Sequence, residues 1–148
     1  PTYAVPLKNL AHGFARMATG IGLGETRARA GRRLLDACMA EPFLVAGTDR
    51  LDTRLMQAAG GRVMVKIGAE GVYCGAIPEL GLGIALKCDD GAARAAEVMI
   101  AAVVAKLLPS EDALSAMIGD MARPVMANWN GIAVGALRPA GPFAGPLS

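Results

Sequence analysis

Between Gly60-Gly61 and Asp89 the apolar residues change their period, and that change restricts the fold more than any other feature of the chain. Val63, Val65 and Ile67 alternate with Met64 and Lys66, the two-residue period of a strand. Gly68 to Gly71 follow as a tight turn, and Val72 to Ile77 as a second strand. Pro78-Glu79-Leu80-Gly81 reads as a connection and Leu82 to Cys88 as a third strand, which together make an antiparallel meander. Glycines recur inside it, and glycine within a strand predicts the close approach of a ligand or of another backbone.

On either side of the meander the period is helical. Pro6 suits a first helical turn, and Leu7, Leu10, Phe14, Met17 and Ile21 form one apolar stripe after it. Lys8, Asn9, His12 and Arg16 fall on the other face, so His12, the chain's single histidine, is read as solvent-exposed. A second helix from Thr26 places Ala30, Leu34, Cys38 and Met39 inward and Arg27, Arg29, Arg32 and Arg33 outward, and Glu41-Pro42 stops it. A third, capped by Thr48 or Asp49, runs to Ala59 and buries Leu51, Leu55 and Met56. Asp89 or Asp90 caps a long Ala-rich helix from about Ala92 to Leu108. Ser110 caps another, with Glu111 and Asp112 in its first turn. Asn130-Gly131 predicts a hairpin joining Val125–Asn128 to Ile132–Leu137. The expected fold class is α+β, an antiparallel sheet with packed helices, with residues 1–138 in one domain and 139–148 a loose Pro/Gly tail.

Composition narrows the function. A net charge of +2 argues against nucleic-acid or membrane partners, and no apolar run reaches the length of a spanning helix. The four clustered arginines are read as a solvated helix face, with an anion or RNA patch as the alternative; no aromatic is interleaved with them, which argues against base stacking. Cys38, Cys74 and Cys88 are widely spaced and form no C-x-x-C pair, so they are expected to be free thiols in a reducing, cytoplasmic setting. Aromatic residues are few, so the core is expected to rely on close backbone packing or on material outside the chain. A chain that begins at Pro1 rather than Met is read here as the C-terminal part of a larger protein.

Lys66 is the most informative residue. One reading makes it an ordinary solvent-facing strand lysine. The other places it at a site opening, where desolvation or a second cation lets a lysine act as a base. Gly68 and Gly71 would then let a substrate reach backbone N–H groups able to stabilise an oxyanion. Glu70 and Glu79, the acids closest in sequence, either contact a substrate ammonium group or are turn acids in solvent. Serine occurs only at Ser110, Ser115 and Ser148, and none has a lysine three residues on.

The order of elements resembles the C-terminal half of the penicillin-recognising enzymes and serine glutaminases, whose third motif is Lys-[Ser/Thr]-Gly on such a strand. Here the triplet is Lys66-Ile67-Gly68, without the hydroxyl residue. A closer resemblance rests on Val65-Lys66-Ile67-Gly68-Ala69-Glu70-Gly71-Val72-Tyr73, on Pro78 to Lys87 and on Asp89-Asp90-Gly91. With the opening Pro1 to Leu7, and Asn128-Trp129-Asn130-Gly131 followed by Val134-Gly135, these residues resemble the rhizobial-type L-asparaginase family.

That resemblance implies a serine β-lactamase-like fold and hydrolysis of L-asparagine to L-aspartate and ammonia by paired serine–lysine units. Lys66 is implied as the lysine of one pair; Gly68, Glu70 and Gly71, from the reading of the turn itself, are the candidate substrate-binding residues. A Ser-x-x-Lys serine, its lysine and a second serine are implied upstream, as is a zinc site of cysteines and a lysine, so this chain is expected to hold no metal of its own. The expected partners are L-asparagine, the upstream segment and a second copy in a homodimer. L-Glutamine is the rival substrate, one methylene longer, and a non-enzymatic binding module is the rival role.

Overall fold

The computed structural model describes residues 3–109 and 112–144 of the chain. Four helices come first: α1 (Leu7–Thr19), α2 (Glu25–Ala40), α3 (Pro42–Ala46) and α4 (Leu51–Ala59). Three strands follow, β1 (Met64–Ile67), β2 (Val72–Ile77) and β3 (Leu82–Lys87), with a 3-10 turn at Pro78–Leu80. Then come α5 (Ala93–Leu107), α6 (Ala113–Met121) and a hairpin of β4 (Val125–Ala127) and β5 (Ala133–Ala136). The fold is α+β, as the change of period predicts.

β1, β2 and β3 form an antiparallel meander in that order, with Lys66 opposite Cys74 and Ile67 opposite Tyr73. Because side chains alternate along a strand, Val65, Ile67, Tyr73, Ile77, Ile84 and Leu86 share one face. Met64, Lys66, Cys74, Ala76, Gly83 and Lys87 share the other. α1 lies directly on the second face. A side chain at Gly83 would stand 2.0 Å from the Ala11 carbonyl oxygen and 2.5 Å from the Ala15 nitrogen, so glycine is what lets the helix backbone touch the strand. The close approach that the strand glycines predict is, at Gly83, an approach of backbone. α4 and α5 pack against the meander as well, and α6 packs against both of them.

Several local expectations are corrected. α2 buries Gly31, Leu35 and Met39, while Leu34 is 61% exposed, so the inward stripe is rotated by one residue. Gly31 faces Met17 of α1, and a side chain there would stand at ordinary contact distance, 3.5 Å from the Met17 Cα. Ile21 lies beyond α1 and is exposed. Pro42 does not merely stop α2; it occupies the first turn of α3, where its missing N–H costs nothing. α4 starts after Arg50, not after Thr48 or Asp49. The described cap of α6 is Asp112, whose side chain accepts the Leu114 N–H at 2.9 Å; the expected cap Ser110, with Glu111, lies outside the described residues. Asp90 accepts the Ala92 N–H at 2.8 Å just ahead of α5.

The β4–β5 hairpin forms where Asn130-Gly131 predicts it, and Asn128 Oδ1 accepts the N–H groups of Asn130 and Ile132, each at 3.0 Å. Within the Pro/Gly segment after Pro139, Gly141–Phe143 make a 3-10 turn. Lys106 donates to the Pro142 carbonyl at 2.9 Å and lies 5.8 Å from the centre of the Phe143 ring.

Candidate active site

β1 is an edge strand, so the backbone groups on its outer side have no strand partner. At Ile67 both of these groups are nonetheless occupied. Its N–H donates to Asp52 Oδ1 at 2.7 Å, and its carbonyl accepts from Lys66 Nζ at 2.7 Å. Lys66 is half-buried and stands on the α1 face of the sheet; its Nζ curls around the open edge to reach the next residue's carbonyl. Lys66 thus ends half-buried, with its amino group bonded to the outer edge of its own strand.

Asp52 is the residue that sequence reasoning missed. It lies in the first turn of α4 and has no exposed surface. Its other oxygen, Oδ2, accepts from the Tyr73 hydroxyl at 2.5 Å. Tyr73 is fully buried on the face opposite Lys66, and burial, followed by the bond to Asp52, holds its phenol well above the ordinary tyrosine range. The one available signal was an acid beside the buried Leu51, and the helix dipole alone accounts for an acid there.

The turn after β1 is closed internally. The Gly68 N–H donates to the Val72 carbonyl at 2.7 Å and is not free for a ligand. Gly71 is buried, with φ of +69°, and a side chain on it would stand 2.8 Å from Cys88 Cβ and 2.9 Å from the Gly91 carbonyl carbon. Packing accounts for this glycine. Glu70 is exposed at the tip with φ of +55°, and its carbonyl accepts from Lys87 Nζ at 2.6 Å. The N–H groups of Ala69, Glu70 and Gly71 have no acceptor among the described residues. Cys88 donates to Asp90 Oδ1 at 2.9 Å, and this bond, then burial, raises the thiol above its ordinary value.

Glu79 is not part of this site. It follows β2 at the other end of the sheet, where it holds Arg62 at 2.7 and 3.1 Å, and Arg62 also reaches Asp112. The Arg62 guanidinium keeps both carboxyls below their usual range. Cys74, directly across from Lys66, is 8% exposed, and burial pushes its thiol up, away from the reactive thiolate. Ser115 is buried and donates to the Ala105 carbonyl at 2.8 Å, tying α6 to α5. An apolar cavity of about 390 Å³ lies on the other side of the sheet, between Leu86, α5 and residues 137–143. Among the described residues no group of three or more His, Cys, Asp or Glu could hold a metal, and no helix is long and apolar enough to cross a membrane.

Fold and site together define an α+β protein whose candidate chemistry is a lysine at the open edge of a helix-covered antiparallel sheet. The model of the L-asparaginase II family matches residues 1–139, and the chain belongs to that family, one of amidohydrolases of the asparaginase type. A comparison with curated proteins gives no match.

Proposed function

We propose that this chain contributes Lys66 to a serine–lysine site that hydrolyses L-asparagine to L-aspartate and ammonia. The observation that carries the reading is the placement of Lys66 Nζ at the open end of β1, 2.7 Å from the Ile67 carbonyl, in a member of the L-asparaginase II family. A neutral lysine amine takes the proton from a serine hydroxyl as the serine oxygen bonds to the side-chain amide carbon. Collapse of that adduct breaks the C–N bond, and the leaving nitrogen takes the proton and departs as ammonia. Water then cleaves the acyl–serine ester, releasing L-aspartate and restoring the serine. The N–H groups of Ala69, Glu70 and Gly71, without an acceptor among the described residues, are the donors this turn offers for the negative oxygen of the adduct.

The nucleophile in this reading is the serine of a Ser-x-x-Lys motif, which this sequence does not contain, and Ser115 is buried and committed to Ala105. Ser110 and Ser148 lie outside the described residues. Zinc, where the intact enzyme holds it, is assigned to residues upstream of Pro1; the donor groups described here do not fit a metal, and no step above runs through one. The same reading places the enzyme in the cytoplasm as a homodimer.

Ammonia release by the full-length protein from L-asparagine and from L-glutamine tests the assignment. L-Asparagine is expected to be favoured in kcat/KM by about 10- to 200-fold, the range that one methylene commands. A preference for L-glutamine replaces the substrate, and no release from either supports a binding module.

A further inference from the structure

We propose that Asp52 is a positioning residue for Lys66, acting through the peptide bond that joins Lys66 to Ile67. The inference rests on the reading of Lys66 as the catalytic base. A carboxylate with no exposed surface is costly unless its oxygens are bonded, and each oxygen of Asp52 has a donor. The Ile67 N–H that it accepts belongs to the same peptide unit as the Lys66 carbonyl. Pinning that unit fixes the direction in which the Lys66 side chain leaves the strand. The next carbonyl, that of Ile67, is the one that receives Lys66 Nζ, so Asp52 and Lys66 hold the two main-chain groups of one residue.

The carboxylate is itself held. Tyr73, opposite Ile67 in the register, donates its hydroxyl from the centre of the sheet. α4 presents Asp52 from its first turn, where the helix dipole favours a negative charge. The string Tyr73–Asp52–Ile67–Lys66 thus runs from the buried core to the open edge of β1. An edge strand otherwise has nothing to fix its outer side, and a base misplaced by about 1 Å can lose 100-fold in rate.

The test uses the full-length protein with Asp52→Ala, Asp52→Asn, Tyr73→Phe and Lys66→Ala, each checked for a cooperative urea transition. Asp52→Ala is expected to lower kcat by about 10- to 100-fold with KM changed less than about threefold, the split expected when positioning is lost but binding is kept. Asp52→Asn is expected to keep kcat within about threefold, because its oxygen still accepts from Ile67 and its amide can donate to Tyr73. Tyr73→Phe, which frees one carboxylate oxygen, is expected to lower kcat by about 3- to 10-fold; it decides the matter if Asp52→Ala does not fold. A folded Asp52→Ala with kcat within twofold of wild type overturns the proposal, as does an unchanged kcat in Tyr73→Phe when Asp52→Ala is unfolded. A uniform loss that Asp52→Asn does not rescue also overturns it. Full activity in Lys66→Ala removes the underlying reading as well, whereas loss in Lys66→Ala alone sinks only the role of Asp52.

Discussion

Tyr73 has no exposed surface, and burial together with its bond to Asp52 holds its phenol above the ordinary range. The folded chain therefore keeps this proton more tightly than the unfolded chain, in which tyrosine titrates near ~10. The contribution to stability is complete below about pH 10 and is lost as the pH rises beyond it. Urea denaturation across a pH series should show the parent losing stability from about pH 10 upward relative to Tyr73→Phe, whose difference from the parent is constant below that pH. At neutral pH Tyr73→Phe should be less stable by about 1–3 kcal/mol, because it leaves a buried carboxylate oxygen without its donor. Lys66 was legible in the sequence because a lysine interrupts an otherwise apolar strand. Asp52 was not, because an acid in a first helical turn already has an explanation and nothing local reveals its burial. The face that Tyr73 occupies became readable only with the register. Gly68 and Gly71 were found as turn residues, but the structure spends the N–H of one on the turn and buries the other.

The placement of α1 on β3 depends on a single missing side chain. Gly83→Ala would put a methyl group 2.0 Å from the Ala11 carbonyl oxygen, where neither partner is flexible. The substitution should cost at least about 3 kcal/mol, the upper end of ordinary overpacking, and urea melts would measure it. Gly13, within α1, has nothing within 4 Å of its missing side chain, so Gly13→Ala should stabilise by about 0.5–1 kcal/mol in the same assay. Strand glycines predicted a close approach, yet they could not say whether backbone or ligand would make it. Period readings placed most elements to within a residue or two. They failed at α2, where a buried glycine and not the larger Leu34 faces the neighbouring helix. They also failed at α3, where a proline begins a helix that it was expected only to forbid.

At the scale of the whole molecule, the apolar residues divide between a packed body and an uncovered arm. β4 and β5 are exposed along their length, and Trp129 at the turn is fully exposed. A two-stranded hairpin alone is marginally stable. Its amides should exchange with solvent far faster than those of β1–β3, which hydrogen-exchange mass spectrometry would report; equal protection would show that the arm is covered in solution. The scarcity of aromatic residues pointed to close backbone contact in the core, which Gly83 supplies. The surface left open by the hairpin could not be read from composition, because its apolar residues look like core until a partner for them is sought. The account as a whole stands on Lys66. Its most direct test is ammonia release from L-asparagine by the full-length protein, compared with Lys66→Ala. We expect a loss of at least about 100-fold in kcat, with the urea transition unchanged, since general-base catalysis commonly contributes about 10²–10⁴. Activity that survives the substitution would make Lys66 an ordinary strand lysine and would contradict the serine–lysine reading.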